Sequence, residues 1–323
     1  MSKPLASISL DLDNQWSYMK IHGDKGWECF PSYLDTFVPH VLKVLQEQDL
    51  NITFFIVGQD AALDQNKEFI FSIADQGHEV GNHSFHHESW LHTYSKEEIE
   101  SEIILAEEHI QCVTDQKTIG FRGPGFSWSP TMLEVLKQRG YLYDASTLPT
   151  YIGPLARMYY FWTSDLTKEE RRIRRGLFGS FRDGLRPVRP YYWDIGNNEK
   201  LLEIPVTTIP IIRTPFHFSY LLYLAGISEV LMHNYLNLAI RLCELTHTQP
   251  SYLLHPLDLI GGDRVPQLKF FPGMNISSSR KVEIFTKVIN KLKRHFDLVN
   301  MSTHAKEILL SHSLKLVNLN VCS

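Results

Sequence analysis

Ser7-Ile8-Ser9-Leu10-Asp11-Leu12-Asp13 is a strand-like run that ends in carboxylates. After it comes Pro31 to Gln48, where Leu34, Val38, Val41, Leu42 and Leu45 recur at helical spacing, and then the β-branched and aromatic run Ile52-Thr53-Phe54-Phe55-Ile56-Val57. Strand, helix and strand in that order are the unit of a parallel sheet, and a continuous apolar run such as the second strand reads as buried. The same rhythm continues outward. Glu68 to Gln76 reads as helix, Glu79 to Asn82 as a short strand, and Ser95 begins a helix to about Val113 with Glu98 placed to complete a capping box. Thr118 to Arg122 is a further strand; Ser129 caps a helix with Pro130 in its first turn, and Gly140 ends that helix before the strand Tyr141 to Asp144.

Residues from about 150 to 200 break this rhythm, being rich in Arg, aromatics, Gly and Pro, and read as a long insertion. The pattern resumes with a strand at Leu202 to Val206, a helix from about Ser228 to Glu244, a strand at Tyr252 to Leu254 and a helix from Ser278 to His295. A terminal strand, Asp297 to Asn300, is expected to close a barrel. At 323 residues the chain fits one main α/β domain with loop insertions.

Composition narrows the functional classes. An apolar fraction of 43% and a charged fraction of 21% supply a large core and argue against disorder. The formal net charge of -4 gives no long-range attraction to nucleic acid, and no nucleic-acid role is expected. No stretch approaches twenty uninterrupted apolar residues, and acidic residues arrive too early for a secretory segment. Cys29, Cys112, Cys243 and Cys322 are far apart, without paired spacing, and read as reduced thiols. A soluble cytoplasmic protein is the expectation.

The chemistry centres on His83-Ser84-Phe85-His86-His87, directly after a strand. Residues four apart on a helical turn bring two imidazoles within reach of one cation, which makes His83 and His87 a candidate ligand pair. Asp11 and Asp13 end another strand at the rim where barrels of this type build their sites. One carboxylate completes a site with two histidines and the other serves as base. Arg122, in Phe121-Arg122-Gly123-Pro124-Gly125, and His255, in Leu254-His255-Pro256, end further strands at the same edge. Taken singly, each of these features has a structural explanation: a polar loop, a loop-capping aspartate pair, a surface ion pair.

The order Asp11-Leu12-Asp13, His83-Ser84-Phe85-His86-His87, Arg122-Gly123-Pro124-Gly125, Tyr143-Asp144 and Leu254-His255 resembles the polysaccharide deacetylase family, carbohydrate esterase family 4 with its NodB homology domain. The resemblance spans residues 11 to 255. It implies a distorted (β/α) barrel of about seven strands, with Asp13, His83 and His87 as ligands to a divalent metal, usually zinc. Asp11 would be the general base, oriented by Arg122; Asp144 would pair with Arg122; His255 would protonate the leaving amine. A backbone amide near Gly125 would help to hold the oxyanion, and the substrate would be an N-acylated sugar or glycan. The commonest first motif of the family has two adjacent aspartates followed by Gly, whereas Leu12 separates them here, so the division of roles between Asp11 and Asp13 stays open, and His86 competes with His87 as a ligand.

Arg171, Arg172, Arg174, Arg175, Arg182, Arg186 and Arg189 lie beside Tyr159 to Trp162 and Tyr191 to Trp193, which suits either a lid over an anionic glycan or a solvated helical face with aromatics packed beneath it. Ile204 to Ile240 reads as barrel wall followed by a packed helix, with weak membrane-surface contact at Phe216 to Leu224 as the alternative. Three other functions fit parts of the pattern. Two His and one carboxylate also make the iron triad of oxygenases, although those sit on sheets rich in alternating strands. A deformylase or amidase acting on a lipid-linked sugar or small amide would use the same residues, and a non-catalytic glycan-binding relative would keep the barrel alone.

Overall fold

In the computed structural model, which describes residues 3–152, 181–310 and 314–319, the strand β1 (Leu5–Leu12) divides its side chains between two environments. Ala6, Ile8, Leu10 and Leu12 face outward into a core with Leu34, Phe37, Val38 and Val41 of the helix α2 (Leu34–Glu47). Ser9 and Asp11 face inward and accept hydrogen bonds from Arg122. This two-residue alternation is what a strand between a helical layer and a barrel interior requires.

Between β1 and α2 lies a short helix that the sequence reading missed, α1 (Gln15–His22), capped by the Asn14 side chain. After β2 (Thr53–Ile56) come α3 (Gly58–Ala62) and α4 (Asp64–Asp75), then β3 (Glu79–Asn82) and α5 (Lys96–Thr114). The Ser95–Glu98 capping box is present as expected, and such caps are worth about 1 kcal/mol each. β4 (Gly120–Phe121), α6 (Pro130–Gln138) and β5 (Tyr143–Asp144) complete the first half.

β1 to β5 pair in parallel in chain order. β6 (Tyr191–Gly196), inside the stretch expected to be an insertion, forms an antiparallel hairpin with β7 (Glu199–Glu203), which overlaps the strand expected from Leu202 and continues the parallel set beside β5. The second half contains α7 (Phe218–Ile227), α8 (Glu229–Leu245), β8 (Ser251–Leu254), α9 (Ser278–His295), β9 (Asp297–Val299), α10 (Met301–Leu310) and β10 (Lys315–Asn318). β8 pairs with the other edge of β1. The ring then joins where the Thr207 N–H donates to the Ser251 carbonyl at 3.0 Å and the Ser251 N–H donates to the Thr207 hydroxyl at 2.7 Å. Among the described residues the ring thus runs β8-β1-β2-β3-β4-β5-β7, a distorted barrel of seven strands.

The expectation that Asp297 to Asn300 is terminal and closes the barrel is corrected. From Ser7 onward the edge of β1 is occupied by β8, so β9 reaches only Leu5 to Ser7. α10 and β10 follow it, and β10 pairs with β6. Met301, Ala305 and Ile308 of α10 pack with Phe55, Tyr143, Leu202 and Ile204. The Met301 and Ser302 amides donate to Thr53 and Glu79, which begin β2 and β3, so α10 plugs the N-terminal end of the barrel. The opposite rim carries Asp13, His83, Arg122 and His255, each at or just beyond a strand's C-terminal end.

The plug carries a pH-sensitive contact. His304 is fully buried, its two ring nitrogens 2.9 Å from Ser7 Oγ and 3.1 Å from Gln249 Oε1. Burial depresses its pKa from 6.5 to about 4. The unfolded chain therefore takes up this proton at higher pH than the folded protein, so the imidazole's contribution to stability is complete above pH 6.5 and is lost as pH falls toward 4, at about 1.4 kcal/mol per unit. Urea unfolding of the wild type and of His304→Gln at pH 7 and pH 5 is expected to show a loss smaller in the variant by about 2 kcal/mol; equal losses would remove His304 from the account.

Of the expected Arg-rich insertion, Tyr159 to Trp162 and Arg171, Arg172, Arg174 and Arg175 lie outside the described residues. Arg186 is buried, stacked 4.2 Å above the Trp128 ring and paired with Asp183 at 2.8 Å, so this member of the cluster is packed into the fold. Phe216, Phe218, Leu221 and Leu222 are core residues, while Tyr223 is 70% exposed. No helix among the described residues is long and apolar enough to cross a membrane.

Candidate metal centre

Asp13, His83 and His87 each present a ligand atom within 4.8 Å of the others, and all three residues are buried. Asp13 follows β1, where its backbone N–H turns back to the Asp11 carbonyl at 2.9 Å. The two histidines follow β3, but the segment is a bent loop and not the helical turn expected from the four-residue spacing. Ser84 (φ 59°) and His87 (φ 54°) take left-handed backbone, which costs L-residues energy and persists only where the surroundings enforce it.

Those surroundings are specific. The Glu102 carboxylate of α5 accepts from the backbone N–H groups of Phe85 and His86 at 3.0 and 2.9 Å, and Asn82 Oδ1 accepts from the Ser84 N–H at 2.8 Å. The carbonyls of Ser84 and Phe85 accept from Gly58 and Gln59 in α3. A Cβ on Gly58 would come within 2.6 Å of the Ala106 backbone, so only glycine allows α3 to sit this close to α5. The same Glu102 bonds the His86 ring, which settles the competition: His86 is turned away, and among the described residues the candidate cation site is Asp13, His83 and His87.

The donor atoms suit a divalent cation. His83 Nδ1 donates to the Arg122 carbonyl at 2.6 Å, which leaves Nε2 with a free lone pair, 3.6 Å from Asp13 Oδ1. This second contact on the far nitrogen is the usual way a ligating imidazole is oriented. His87 Nε2 lies 2.9 Å from the same oxygen, yet Asp13 Oδ1 accepts no aligned hydrogen bond, so these atoms face a shared point more than one another. Burial alone would raise the Asp13 pKa, but the charge and contacts of His87 and His83 outweigh it and hold the carboxyl well below the usual range. A buried anion beside two imidazoles fits an ion such as zinc, which takes nitrogen and carboxylate ligands at about 2.0 to 2.2 Å.

On one flank stands Asp11. Its Oδ1 accepts from Arg122 Nη1 at 2.6 Å; the same guanidinium reaches Ser9 Oγ at 2.9 Å and the Ala145 carbonyl at 3.0 Å, and stacks 4.3 Å over Phe55. Arg122 thus holds Asp11 with its side chain and His83 with its carbonyl.

On the other flank His255 has Nδ1 3.8 Å from Asp258 Oδ2. Burial lowers its pKa, but the Asp258 carboxylate, with charge on Asp11 and Asp13, more than compensates and raises it to about 9. Gly125 takes left-handed backbone (φ 60°) and packs against Ser89, two residues beyond His87, so the Arg122–Gly125 loop lies alongside the histidine loop.

One expected contact is absent: no ion pair joins Asp144 to Arg122 among the described residues. On the short strand β5, Tyr143 and Ala145 face the barrel interior, which turns Asp144 the other way. Asp144 instead accepts from Ser146 Oγ at 2.5 Å and shares a hydrogen bond with Glu203, whose carboxyl burial pushes well above the usual range. Ser146 Oγ in turn accepts the Gly123 N–H at 2.8 Å, so Asp144 supports the Arg122–Gly125 loop from behind.

Residues 21–143 match the family model described as polysaccharide deacetylase. The chain is 32% identical over 110 residues to the peptidoglycan-N-acetylmuramic acid deacetylase of Bacillus subtilis, which is 34% of this chain and 41% of that protein. It is 29% identical over 128 residues to the peptidoglycan deacetylase of Helicobacter pylori, 40% of this chain and 41% of that one. The match thus spans about two fifths of each relative. A solved structure from Mycobacterium smegmatis, described as a polysaccharide deacetylase, superposes with a TM-score of 0.56 at 17% identity over 98% of both chains, a likeness of fold.

Proposed function

We propose, from the match of residues 21–143 to the polysaccharide deacetylase family model, that the protein is a metal-dependent hydrolase that removes an N-acyl group, acetyl in the first instance, from a sugar or glycan. What supports this reading is a buried group of candidate ligands, Asp13, His83 and His87, together with a carboxylate bonded to an arginine, Asp11, and an imidazole beside a carboxylate, His255.

A bound divalent cation would polarise the acyl carbonyl and lower the pKa of water at the site from 15.7 toward about 7. Asp13, His83 and His87 would hold it; zinc matches this donor set. Asp11 takes the proton of the attacking water and is kept in place by Arg122. His255 gives its proton to the departing nitrogen, which would otherwise leave as a poor anion. The backbone amide near Gly125 supports the carbonyl oxygen as charge develops there. Base and acid come from different strand ends.

Acetate and formate release from a panel of N-acylated sugars tests the proposal and separates deacetylase from deformylase. Release that requires metal and is lost on chelation is expected; absence of release from every member of the panel would refute it.

The acid role has its own test. His255 is charged below about pH 9 and loses its proton above it, so kcat/KM is expected to fall through an alkaline limb set by this group. Asp258→Asn removes the charge that raises the pKa, and the limb is expected to move down by at least about one pH unit. An unmoved limb would take the proton-donor role from His255.

A further inference from the structure

His217 stands in the interrupted apolar stretch before α7 and is 6% exposed. Its Nδ1 has no hydrogen-bond partner among the described residues. It occupies the N-cap position of α7, where a side chain normally satisfies a helix amide, yet it makes no such bond. Its ring makes an edge-on contact with Tyr220 at 4.8 Å, and its chain neighbours Phe216 and Phe218 are buried. It points toward the site: its ring centre is 6.1 Å from that of His255, and the charges it feels belong to His255, Asp258, Asp11 and Arg122. Ser219, two residues on, places its hydroxyl 3.5 Å from His255 Nδ1.

An imidazole nitrogen buried without a partner loses solvation and gains nothing in return, a cost that a core position would shed by holding an apolar residue. Such a group makes sense where a ligand completes it. We propose that His217 is a substrate-contact residue, hydrogen-bonding a hydroxyl group of the sugar on the His255 side of the metal centre, and that it sets the preference for sugar-borne over simple amides. Burial, reinforced by the charge of His255, depresses its pKa to about 3, so it meets the substrate as a neutral ring with one donor and one acceptor. That chemistry matches a neutral hydroxyl and offers nothing special to a phosphate or carboxylate. The inference rests on the hydrolase proposed above and specifies its substrate side.

The test compares wild type, His217→Leu and His217→Asn on an N-acetylglucosamine oligosaccharide and on an N-acetyl amine without hydroxyls, with unfolding by urea measured alongside. His217→Leu is expected to raise KM for the oligosaccharide by about tenfold or more with kcat changed much less, because the lost contact is made before and during reaction. Its KM for the hydroxyl-free amide and its pH profile are expected to stay as in wild type, and its stability to be equal or higher, which a purely structural histidine would not give. His217→Asn, which keeps a polar group near Nδ1, is expected to restore most of the oligosaccharide KM. Equal KM values for wild type and His217→Leu would overturn the inference while leaving the hydrolase intact. Wild-type turnover of the hydroxyl-free amide alone would overturn the sugar contact. Failure of the wild type on every N-acyl compound would remove the proposed function, and this inference with it.

Discussion

His83→Ala is expected to leave the protein unable to retain a stoichiometric divalent ion and to lower kcat/KM for N-acyl hydrolysis by about a thousandfold or more. The substitution removes one of three donors that face a common point, and it also deletes the bond to the Arg122 carbonyl that fixes the imidazole. Elemental analysis after dialysis reads the first effect and steady-state kinetics the second. His86→Ala is the internal control: His86 is bonded to Glu102 and turned from the centre, so this variant is expected to keep its metal. Loss of metal in His86→Ala with retention in His83→Ala would reverse the ligand assignment.

Arg122→Met is expected to affect both stability and turnover. The guanidinium is fully buried and compensates the charge of Asp11 at 2.6 Å, while bonding Ser9 and the Ala145 carbonyl. Removing one member of a buried pair leaves an uncompensated charge, which costs about 3 to 5 kcal/mol. Turnover is expected to fall by about a hundredfold or more, because Asp11 loses the contact that aims it. Arg122→Lys restores the charge without the planar fork, so it is expected to recover much of the stability and little of the activity. Denaturant midpoints and kcat/KM for the three proteins check this. A Met variant as stable as wild type would mean that Asp11 does not depend on Arg122.

Both predictions concern residues that were legible in the sequence, and for a definite reason. Strand ends can be read from apolar runs, and the side chains that follow them gather at one rim whatever the intervening segments do. β3 falls on Glu79–Asn82 as the pattern predicts, and the candidate metal donors follow it and β1 in the chain. What was illegible depends on contacts between distant segments. The left-handed residues Ser84 and His87 carry no local signal, because the loop is shaped by Glu102 from α5 and by α3. The β6–β7 hairpin was hidden because Tyr191 and Trp193 are buried against Trp128 and Arg186, and a run of arginine and aromatics reads as irregular when its partners are unseen. Barrel closure rests on Thr207 and Ser251, two residues without distinctive pattern. His217 looked like an interruption of an apolar stretch; only the absence of a partner for its ring marks it out. Asp144 falls on the strand expected for it, feels the charge of Arg122, and bonds Ser146 directly, since the pleat of a two-residue strand decides which way it faces and sequence spacing does not.

Anomalous X-ray scattering at the zinc absorption edge, from crystals of the zinc-loaded protein, addresses the centre itself. One strong peak is predicted about 2.0 to 2.2 Å from Asp13 Oδ1 and from Nε2 of both His83 and His87. A peak elsewhere, or none within bonding distance of these three atoms, would contradict the account.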